Sequence, residues 1–235
     1  MANGRTALVL GATGGIGGQV AARLVAAGWR VRALHRNPSE AGRDGGRIEW
    51  LKGDAMSRQD VLAAAEGASI ILHAVNPPGY RDWDKLVLPM LESSIAAASA
   101  TGARIILPGT VYNFGPDAFP VLTEASPQNA LTRKGKIRVE MERRLREGAR
   151  SGLRSLVLRA GDYFGPKARN NWFSQGLVKP GRPVASITYP AARGTGHAWA
   201  YLPDVAEAMV KLIERDAELG PFEVFHFAGH FDADG

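Results

Sequence analysis

The sequence contains no cysteine and no long hydrophobic run. The lack of cysteine excludes disulfide bonds, thiolate metal sites and cysteine nucleophiles. No apolar stretch approaches the roughly 20 residues that a membrane-spanning helix needs. The first ten residues, MANGRTALVL, also lack the long apolar stretch and the cleavage site of a signal peptide. We therefore expect a soluble, cytoplasmic protein with no membrane contact.

Long blocks of one charge are also missing. The 235 residues include 29 Lys and Arg against 23 Asp and Glu, which gives a net charge of +6. The densest basic run, Arg133 to Arg154, also carries Glu140, Glu142 and Glu147. A nucleic-acid-binding surface usually shows a basic patch or stripe, so we expect no nucleic-acid partner. The positive charge suits a small ligand that carries phosphate.

Metal-ligand and hydrolase patterns are scarce as well. His226 and His230 stand four residues apart, but FEVFHFAGH is typical of a strand and has no neighbouring carboxylate. A helical zinc pair would need a helix there, so we expect no metal site. No Gly-x-Ser-x-Gly motif is present, which argues against a serine hydrolase of the α/β type.

Short β-type runs alternate with helix-type segments along most of the chain. The predicted strands are Thr6–Leu10, Arg30–His35, Arg47–Leu51, Ser69–Ala74, Arg104–Leu107, Arg154–Arg159 and Phe222–Phe227. The predicted helices are Gly15–Ala27, Ser57–Glu66, Asp82–Ala100, Thr132–Ala149 and Asp204–Glu214. This alternation predicts an α/β fold in which helices cover both faces of a doubly wound parallel sheet.

The alternation breaks down between Phe164 and Trp199, where Gly, Pro and Asn are mixed with scattered aromatics. We expect residues 1–163 to form the sheet domain, with a helix at 203–215 packing back on it. Residues 164–235 are predicted to form a small C-terminal substrate lobe, partly interleaved with the sheet. Aromatic residues of this stretch either cover the site as a lid or form the core of the lobe: Trp172, Phe173 and Trp199.

The strongest chemical signal is GATGGIG at residues 11–17. It directly follows the first predicted strand and opens the first predicted helix, the context in which such a motif has meaning. Gly11 permits a tight turn, Gly14 lets the backbone approach a pyrophosphate, and Gly17 lets the helix pack closely on the sheet. N–H groups at the helix start then face the phosphates. The predicted dinucleotide-binding residues of this turn are Gly11, Thr13, Gly14, Gly15, Ile16 and Gly17.

The end of the second predicted strand indicates which dinucleotide binds. A free ribose 2′-hydroxyl is usually bound by an Asp or Glu about 20 residues after the glycines. Here the segment reads Leu34-His35-Arg36-Asn37 and contains no acid. The guanidinium of Arg36 could pair with a 2′-phosphate instead. The sequence therefore favours NADP(H) over NAD(H) as the cofactor.

These motifs resemble the extended and atypical short-chain dehydrogenase/reductases, which have a Rossmann fold. This superfamily includes NAD-dependent epimerase/dehydratases and the NmrA-like and isoflavone-reductase-like proteins. Gly53-Asp54, with Ala55 after it, resembles the pair whose acid contacts the adenine, and His73-Ala74-Val75 resembles the strand end beneath the cofactor. Further matches are Thr110-Val111-Tyr112, Arg159 to Pro166 (RAGDYFGP) and Tyr201 to Ala206 (YLPDVA). The resemblance covers nearly the whole chain.

The catalytic segment departs from the family pattern. Such enzymes carry Tyr-x-x-x-Lys on the helix after the fifth strand, followed by Glu four residues later. Lys136, with Glu140 four residues on, fits the lysine, and Thr132 then stands in the place of the tyrosine. A threonine hydroxyl is far too weakly acidic to replace a tyrosine activated by a lysine. Pro108 occupies the place of the helper serine.

The resemblance implies roles for the residues that remain. Lys136 is expected to bind the nicotinamide ribose, and Thr110 could supply part of the missing serine's hydrogen bonding. Proton-donor candidates are Tyr112, Tyr163 and Lys136 itself, although each tyrosine could equally be a packed aromatic.

Three functions are compatible with this pattern. The first is an NADP-dependent oxidoreductase that acts on a small carbonyl or conjugated substrate. The alternatives are a nucleotide-sugar epimerase/dehydratase and a non-catalytic NADP(H) sensor of the NmrA-like type. The resemblance also implies a homodimer, formed through the helices that follow the fourth and fifth strands.

Overall fold

The computed structural model describes residues 5–41, 45–77, 82–168, 171, 173–178, 181–187, 189, 192 and 194–234. The strands found there are β1 (Thr6–Leu10), β2 (Arg30–His35), β3 (Glu49–Lys52), β4 (Ile70–His73), β5 (Arg104–Thr110), β6 (Arg154–Ala160), β7 (Asp162–Phe164), β8 (His197–Tyr201), β9 (Phe222–His226) and β10 (His230–Asp232). In this part of the chain, seven strands form a parallel sheet in the order β3-β2-β1-β4-β5-β6-β9. The remaining three form a small sheet in the order β10-β8-β7.

Helices connect the strands of the large sheet. They are α1 (Gly15–Ala26), α2 (Pro38–Ala41), α3 (Arg58–Ala64), α4 (Trp83–Thr101), α5 (Arg133–Ala149) and α6 (Leu202–Glu214). Ser57 caps α3 as predicted, because its hydroxyl accepts a hydrogen bond from the N–H of Asp60 at 3.2 Å. The predicted doubly wound α/β fold is confirmed. None of the helices in the described ranges is long and apolar enough to cross a membrane.

Apolar residues bury the sheet on both faces. On one face, α3, α4 and α5 contribute buried side chains such as Val61, Leu91 and Leu145. On the other face, α1 and α6 pack against the sheet and each other through residues such as Leu24 and Met209. Strands covered on both sides are continuously apolar, as β1 is with all five residues buried. The helices packed on the two faces of the sheet hold the carboxyl ends of the strands in place relative to the glycine turn.

The fifth strand is longer than predicted. It continues past Leu107 through Pro108 and Gly109 to Thr110. The pairing with β4 stops at Ile106, whereas the pairing with β6 continues to Thr110. At Pro108, β5 is therefore paired with β6 alone, and the missing N–H of the proline costs no hydrogen bond to β4. The extension carries Thr110 to the carboxyl edge of the sheet.

The division into domains is more interleaved than the sequence suggests. The predicted boundary after residue 163 falls inside β7, and β9, assigned by prediction to the lobe, completes the large sheet beside β6. The helix α6, which covers most of the predicted 203–215 segment, contacts α1. The lobe itself is built around β7, β8 and β10.

Aromatic side chains form the interior of the lobe. The ring centroid of Phe173 lies 6.0 Å from that of Phe164 and 5.4 Å from that of Trp199. Phe164 also packs on Tyr201 at 5.3 Å. This packing favours the core alternative over the lid for Phe173 and Trp199, while Trp172 lies outside the described residues.

Candidate cofactor site and active-site cavity

A cavity of about 680 Å³ opens at the carboxyl ends of the parallel strands. Open α/β sheets bind their ligands at this edge. The lining runs across the sheet from Arg36, after β2, to Asp162, after β6. The start of α4 and one face of α5 line it as well. The cavity is therefore elongated, with the glycine turn after β1 between its two ends.

The glycine turn is shaped by close backbone contacts. Gly11 has a φ of +90°, and a Cβ atom there would lie 2.5 Å from the carbonyl oxygen of Ala74. A Cβ on Gly17 would lie 2.2 Å from the carbonyl oxygen of Gly11. Larger side chains are excluded at both positions, since real Cβ contacts are longer.

The start of α1 faces the cavity. Gly14 is the N-cap residue and supplies no side-chain cap, so the first-turn N–H groups have no capping side chain there. A Cβ on Gly14 would meet only the oxygen of Gly11, at 3.2 Å. The turn residues that line the cavity are Gly11, Thr13, Gly14, Gly15 and Ile16. This is an anion-binding arrangement.

One end of the cavity lies beyond β2 and β3. Exposed Arg36 lines it, and so do Asp54 and Ala55. The Oδ1 atom of Asp54 accepts a hydrogen bond from the N–H of Met56 at 2.9 Å, which orients the carboxylate. Arg36 directly follows the end of β2, where an NAD-binding protein would place an acid.

The floor of the cavity is formed by the end of β4. His73, Ala74 and Val75 all line it. His73 is only 2% exposed, and its Nδ1 atom lies 2.8 Å from the Oγ atom of Ser94. Burial, together with the positive charge of Arg138, lowers the pKa of His73 to about 3. His73 is therefore neutral at physiological pH, and its Nε2 atom has no hydrogen-bond partner among the described residues.

The helix α5 presents different residues to the cavity than the sequence suggested. Thr132 is exposed and caps the helix, because its hydroxyl accepts from the N–H of Gly135 at 3.0 Å. Lys136 is exposed and is not among the cavity-lining residues, whereas Lys134 and Arg138 are. The role expected for Lys136 at the nicotinamide ribose therefore stays a prediction, which the cavity lining does not favour. Residues 134 and 138 are one helical turn apart and share a face.

A buried ion pair explains this register of α5. Glu142 is 2% exposed and accepts two hydrogen bonds from Arg159, at 3.0 Å from Nε and 2.6 Å from Nη2. Glu140, predicted as the glutamate that follows the lysine, instead pairs outward with Arg143 and Arg144. Hydrogen bonds from these arginines lower the pKa of Glu140 to about 2. Residues 134, 138 and 142 are spaced by four and share one face of the helix. Because the ion pair with Arg159 holds Glu142 in the interior, residues 134 and 138 face the cavity.

The two cavity-lining cations of α5, Lys134 and Arg138, lie near an indole ring. The guanidinium carbon of Arg138 is 5.1 Å from the ring centroid of Trp83, and the Nζ atom of Lys134 is 6.0 Å from it. Arg138 also donates from Nη1 to the carbonyl oxygen of Pro108 at 3.3 Å. These contacts hold Arg138 beside the ends of β4 and β5.

A chain of three polar side chains closes the end of the cavity beyond β6. The hydroxyl of Tyr112 donates to Oδ1 of Asp162 at 2.9 Å, and Nε2 of His197 lies 2.9 Å from Oδ2 of Asp162. Tyr112 and Asp162 line the cavity, as does Thr110. The hydroxyl of Thr110 contacts Asn113 at 3.3 Å. The Tyr112 hydroxyl therefore reaches the cavity already hydrogen-bonded to a carboxylate.

Tyr163 is in a different environment. It lines the cavity, but its hydroxyl is buried without a hydrogen-bond partner in the described part of the chain. Burial raises the pKa of Tyr163 to about 12, although the nearby Arg138 acts in the opposite direction. A tyrosine with such a pKa is a poor acid or base near neutrality.

The structure brings most of the predicted site residues to one cavity. Gly17 and Lys136 lie outside its lining, Gly17 because it packs α1 against the turn. Sequence reasoning missed Trp83, Lys134, Arg138, Asp162 and His197. Arg138 lies four residues before Glu142, as Lys136 lies four residues before Glu140. The first spacing could have pointed to residues 134 and 138, but the second is equal to it. Asp162 and His197 are 35 residues apart and follow no local pattern.

Comparison with known protein families agrees with the geometry. A family described as NAD(P)H-binding matches residues 11–175, from the glycine turn to the beginning of the lobe. The chain belongs to the NAD(P)H-binding family. The resemblance to the short-chain dehydrogenase/reductase superfamily is thereby confirmed, while the preference between NAD and NADP is not decided by the match.

Two curated proteins are similar to parts of the chain. A 3-diazoavenalumate denitrifying reductase from a Streptomyces species is 30% identical over 177 residues, which is 68% of this chain and 56% of that protein. Sterol demethylase protein B from Methylococcus capsulatus is 37% identical over 81 residues, 34% of this chain and 25% of that protein. The matches thus span about half or less of these relatives.

Solved structures share the fold. The UDP-glucuronic acid 4-epimerase from Bacillus cereus has a TM-score of 0.82 at 16% identity, covering 97% of this chain and 79% of that one. The UDP-glucose 4-epimerase from Brucella ovis, in complex with NAD, has a TM-score of 0.72 at 16% identity with the same coverages. At this identity the likeness establishes the Rossmann-like architecture and nothing about the substrate.

Proposed function

We propose that this protein is an NADP(H)-dependent oxidoreductase of the atypical short-chain type. It passes a hydride between the nicotinamide and a small carbonyl or conjugated substrate. The observation that carries the cofactor choice is Arg36, which lines the cavity after β2 where no acid is present. A guanidinium pairs with a phosphate through two parallel hydrogen bonds. A 2′-hydroxyl, by contrast, calls for a carboxylate.

The chain's own groups fit a dinucleotide. The uncapped start of α1 suits the pyrophosphate, and a Cβ on Gly14 would project into the space that the phosphates need. Asp54, which lines the cavity after β3, is the proposed contact for the adenine. At the other end, buried His73 Nε2 and Tyr163 Oη have no partner among the described residues. Buried polar atoms without partners are rare in folded proteins, so we expect polar groups of a bound ligand to hydrogen-bond to these two atoms.

The reacting end must supply a proton if a carbonyl is reduced. The bound dinucleotide supplies the hydride. Lys134 lines the cavity one turn from Arg138, whereas the hydroxyl proton of Tyr112 is donated to Asp162. We assign the proton to Lys134 rather than to Tyr112, or to Tyr163, whose pKa of about 12 is unsuitable. We propose Arg138 as the ribose ligand in place of Lys136, which is exposed and is not among the cavity-lining residues.

A thermal-shift titration tests this proposal. Saturation with about 100 Kd of a ligand that binds only the folded state raises stability by about 2.7 kcal/mol. We expect NADPH and NADP+ to raise the melting temperature more than NADH and NAD+ at equal concentration. Arg36→Ser should remove this difference. Arg30→Ser is the matched control, because Arg30 lies at the opposite end of β2, exposed and beside Glu49.

The outcomes separate the parts of the proposal. A larger shift with NAD(H) than with NADP(H) would contradict the role of Arg36 while leaving the dinucleotide site in place. No shift with any of the four dinucleotides would contradict the function itself. If the phosphorylated dinucleotides bind, a substrate screen that follows NADPH absorbance should begin with small ketones, quinones and diazo compounds, since one relative is named as a reductase of a diazo compound.

A non-catalytic NADP(H) sensor is the second candidate. It is favoured by one observation, namely that α5 presents Lys134 and Arg138 to the cavity instead of a tyrosine and a lysine. A sensor would bind the oxidised and reduced cofactors unequally without turnover, because a ligand shifts an equilibrium only through differential affinity.

The remaining expectations have weaker support. The nucleotide-sugar epimerase/dehydratase alternative is disfavoured because no tyrosine on α5 lines the cavity in the described residues. A homodimer through α4 and α5 stays a prediction. These helices pack on each other within the chain, where Arg144 of α5 pairs with Glu92 of α4 at 2.6 Å.

A further inference from the structure

We propose that Lys134 and Arg138 make this site selective for the reduced cofactor, so that NADPH binds more tightly than NADP+. The inference rests on the proposed function, since it concerns the affinity of the same cavity for two forms of one dinucleotide. The two forms differ in the nicotinamide ring, which is neutral in NADPH and positively charged in NADP+. A positive field at the ring therefore opposes only the oxidised form.

The order of the strands decides where the ring lies. The glycine turn follows β1 and would hold the pyrophosphate in the middle of the cavity. On one side lie the ends of β2 and β3, with Arg36 and Asp54. The other half of the dinucleotide must then extend past the ends of β4 and β5. There the lining comes from His73, Thr110 and the inner face of α5.

The inner face of α5 carries two cations. Lys134 and Arg138 both line this half of the cavity, and both lie within 6.0 Å of the ring centroid of Trp83. Arg138 is held at the strand ends by its hydrogen bond to the carbonyl oxygen of Pro108. Its positive charge contributes to the lowered pKa of His73 on the cavity floor. The field of Arg138 is thus felt at the surface on which the ring would rest.

Among the described lining residues of this half, one carboxylate opposes these charges. Asp162 lines the same end of the cavity, but its two oxygens are engaged by Tyr112 and His197. His73 is neutral there, because its pKa is about 3. The described residues that line this half therefore carry two positive charges against one negative charge. A net positive charge remains beside the ring.

The expected effect is a ratio of dissociation constants. One net charge a few ångström from the ring, at an effective dielectric constant near 20, is sufficient for a ratio of about fivefold or more. Fivefold corresponds to about 1 kcal/mol, because each tenfold costs about 1.4 kcal/mol. Such a ratio would raise the potential of the bound two-electron couple by about 20 mV, since tenfold equals about 30 mV.

Calorimetric titration with NADPH and with NADP+ measures this ratio directly, without turnover. In the wild-type protein we expect NADPH to bind at least about fivefold more tightly. Arg138→Gln and Lys134→Gln should each bring the ratio closer to one, while Arg138→Lys, which keeps the charge, should preserve it. Lys136→Gln is the matched control, two residues away on the exposed side of α5. Higher ionic strength should reduce the ratio.

The results distinguish this inference from the proposed function. Equal affinity of the wild-type protein for both forms would overturn the selectivity and leave the cofactor site intact. A ratio unchanged in Lys134→Gln would equally count against the role of that cation. Failure of both forms to bind would contradict the proposed function. If Arg138→Gln does not fold, the Lys134→Gln titration decides, because Lys134 is exposed.

Discussion

Acidification should destabilise this protein through one buried histidine. Burial and Arg138 lower the pKa of His73 from 6.5 to about 3. Since the folded state disfavours the protonated ring, the stability that the neutral ring contributes is complete above pH 6.5. It is lost progressively as the pH falls toward 3. Over the whole window, about 3.5 pKa units correspond to a loss on the order of 5 kcal/mol.

The effect at pH 5 is large enough to measure. With pKa values of 6.5 unfolded and about 3 folded, the loss between pH 8 and pH 5 is about 2 kcal/mol. Urea denaturation at the two pH values gives the free energies of unfolding. The range from pH 8 to pH 5 lies above pH 4.5, below which carboxylates with lowered pKa values, such as Glu124 and Glu140, begin to contribute to the loss of stability. His226, whose pKa is also lowered by burial, adds a smaller acid dependence of the same sign.

A variant isolates the contribution of His73. Asn at position 73 can still hydrogen-bond to Ser94 but takes up no proton, whereas His226 remains in place as an internal background. We expect His73→Asn to lose about 2 kcal/mol less than the wild-type protein between pH 8 and pH 5. Equal losses in the two proteins would refute the buried, neutral state of His73.

Two further predictions concern the glycine turn and the ion pair of α5. Gly14→Ala should fold, because the added Cβ meets only one oxygen at 3.2 Å, yet it should weaken NADPH binding at least about tenfold by occupying the phosphate space. Gly176→Ala, with nothing within 4 Å of its Cβ, is the control in the same calorimetric titration. Glu142→Gln leaves the buried guanidinium of Arg159 without its carboxylate, so urea denaturation should show a loss of about 3–5 kcal/mol. A loss below about 1 kcal/mol would contradict that assignment.

The fold and the glycine turn could be predicted because their signals are local. Continuous apolar runs such as TALVL read as buried strands, and a glycine triplet directly after one of them has a definite steric meaning. Gly11 and Gly17 occupy positions where a Cβ would lie within 2.5 Å of a backbone oxygen. The lining position of Arg36 follows from its place just after β2. These features need no knowledge of distant contacts.

The reacting end could not be predicted in the same way. Thr132 with Lys136 and Lys134 with Arg138 have the same four-residue spacing, and the family pattern led to the first pair. The choice is made by the pairing of Glu142 with Arg159, two residues on different elements. Asp162, Tyr112 and His197 likewise meet only because β5 and β6 end, and β8 begins, at the same place. Long-range packing sets these positions, and local periodicity does not record it.

A crystal structure of the protein with bound NADPH tests the central claim most directly. We predict the pyrophosphate against the backbone of residues 13–16, the 2′-phosphate beside Arg36, and the nicotinamide beside Arg138 and His73. Density for the dinucleotide at another surface, or with its adenosine half beside α5, would contradict the account. A cavity that stays empty at saturating NADPH would contradict it as well.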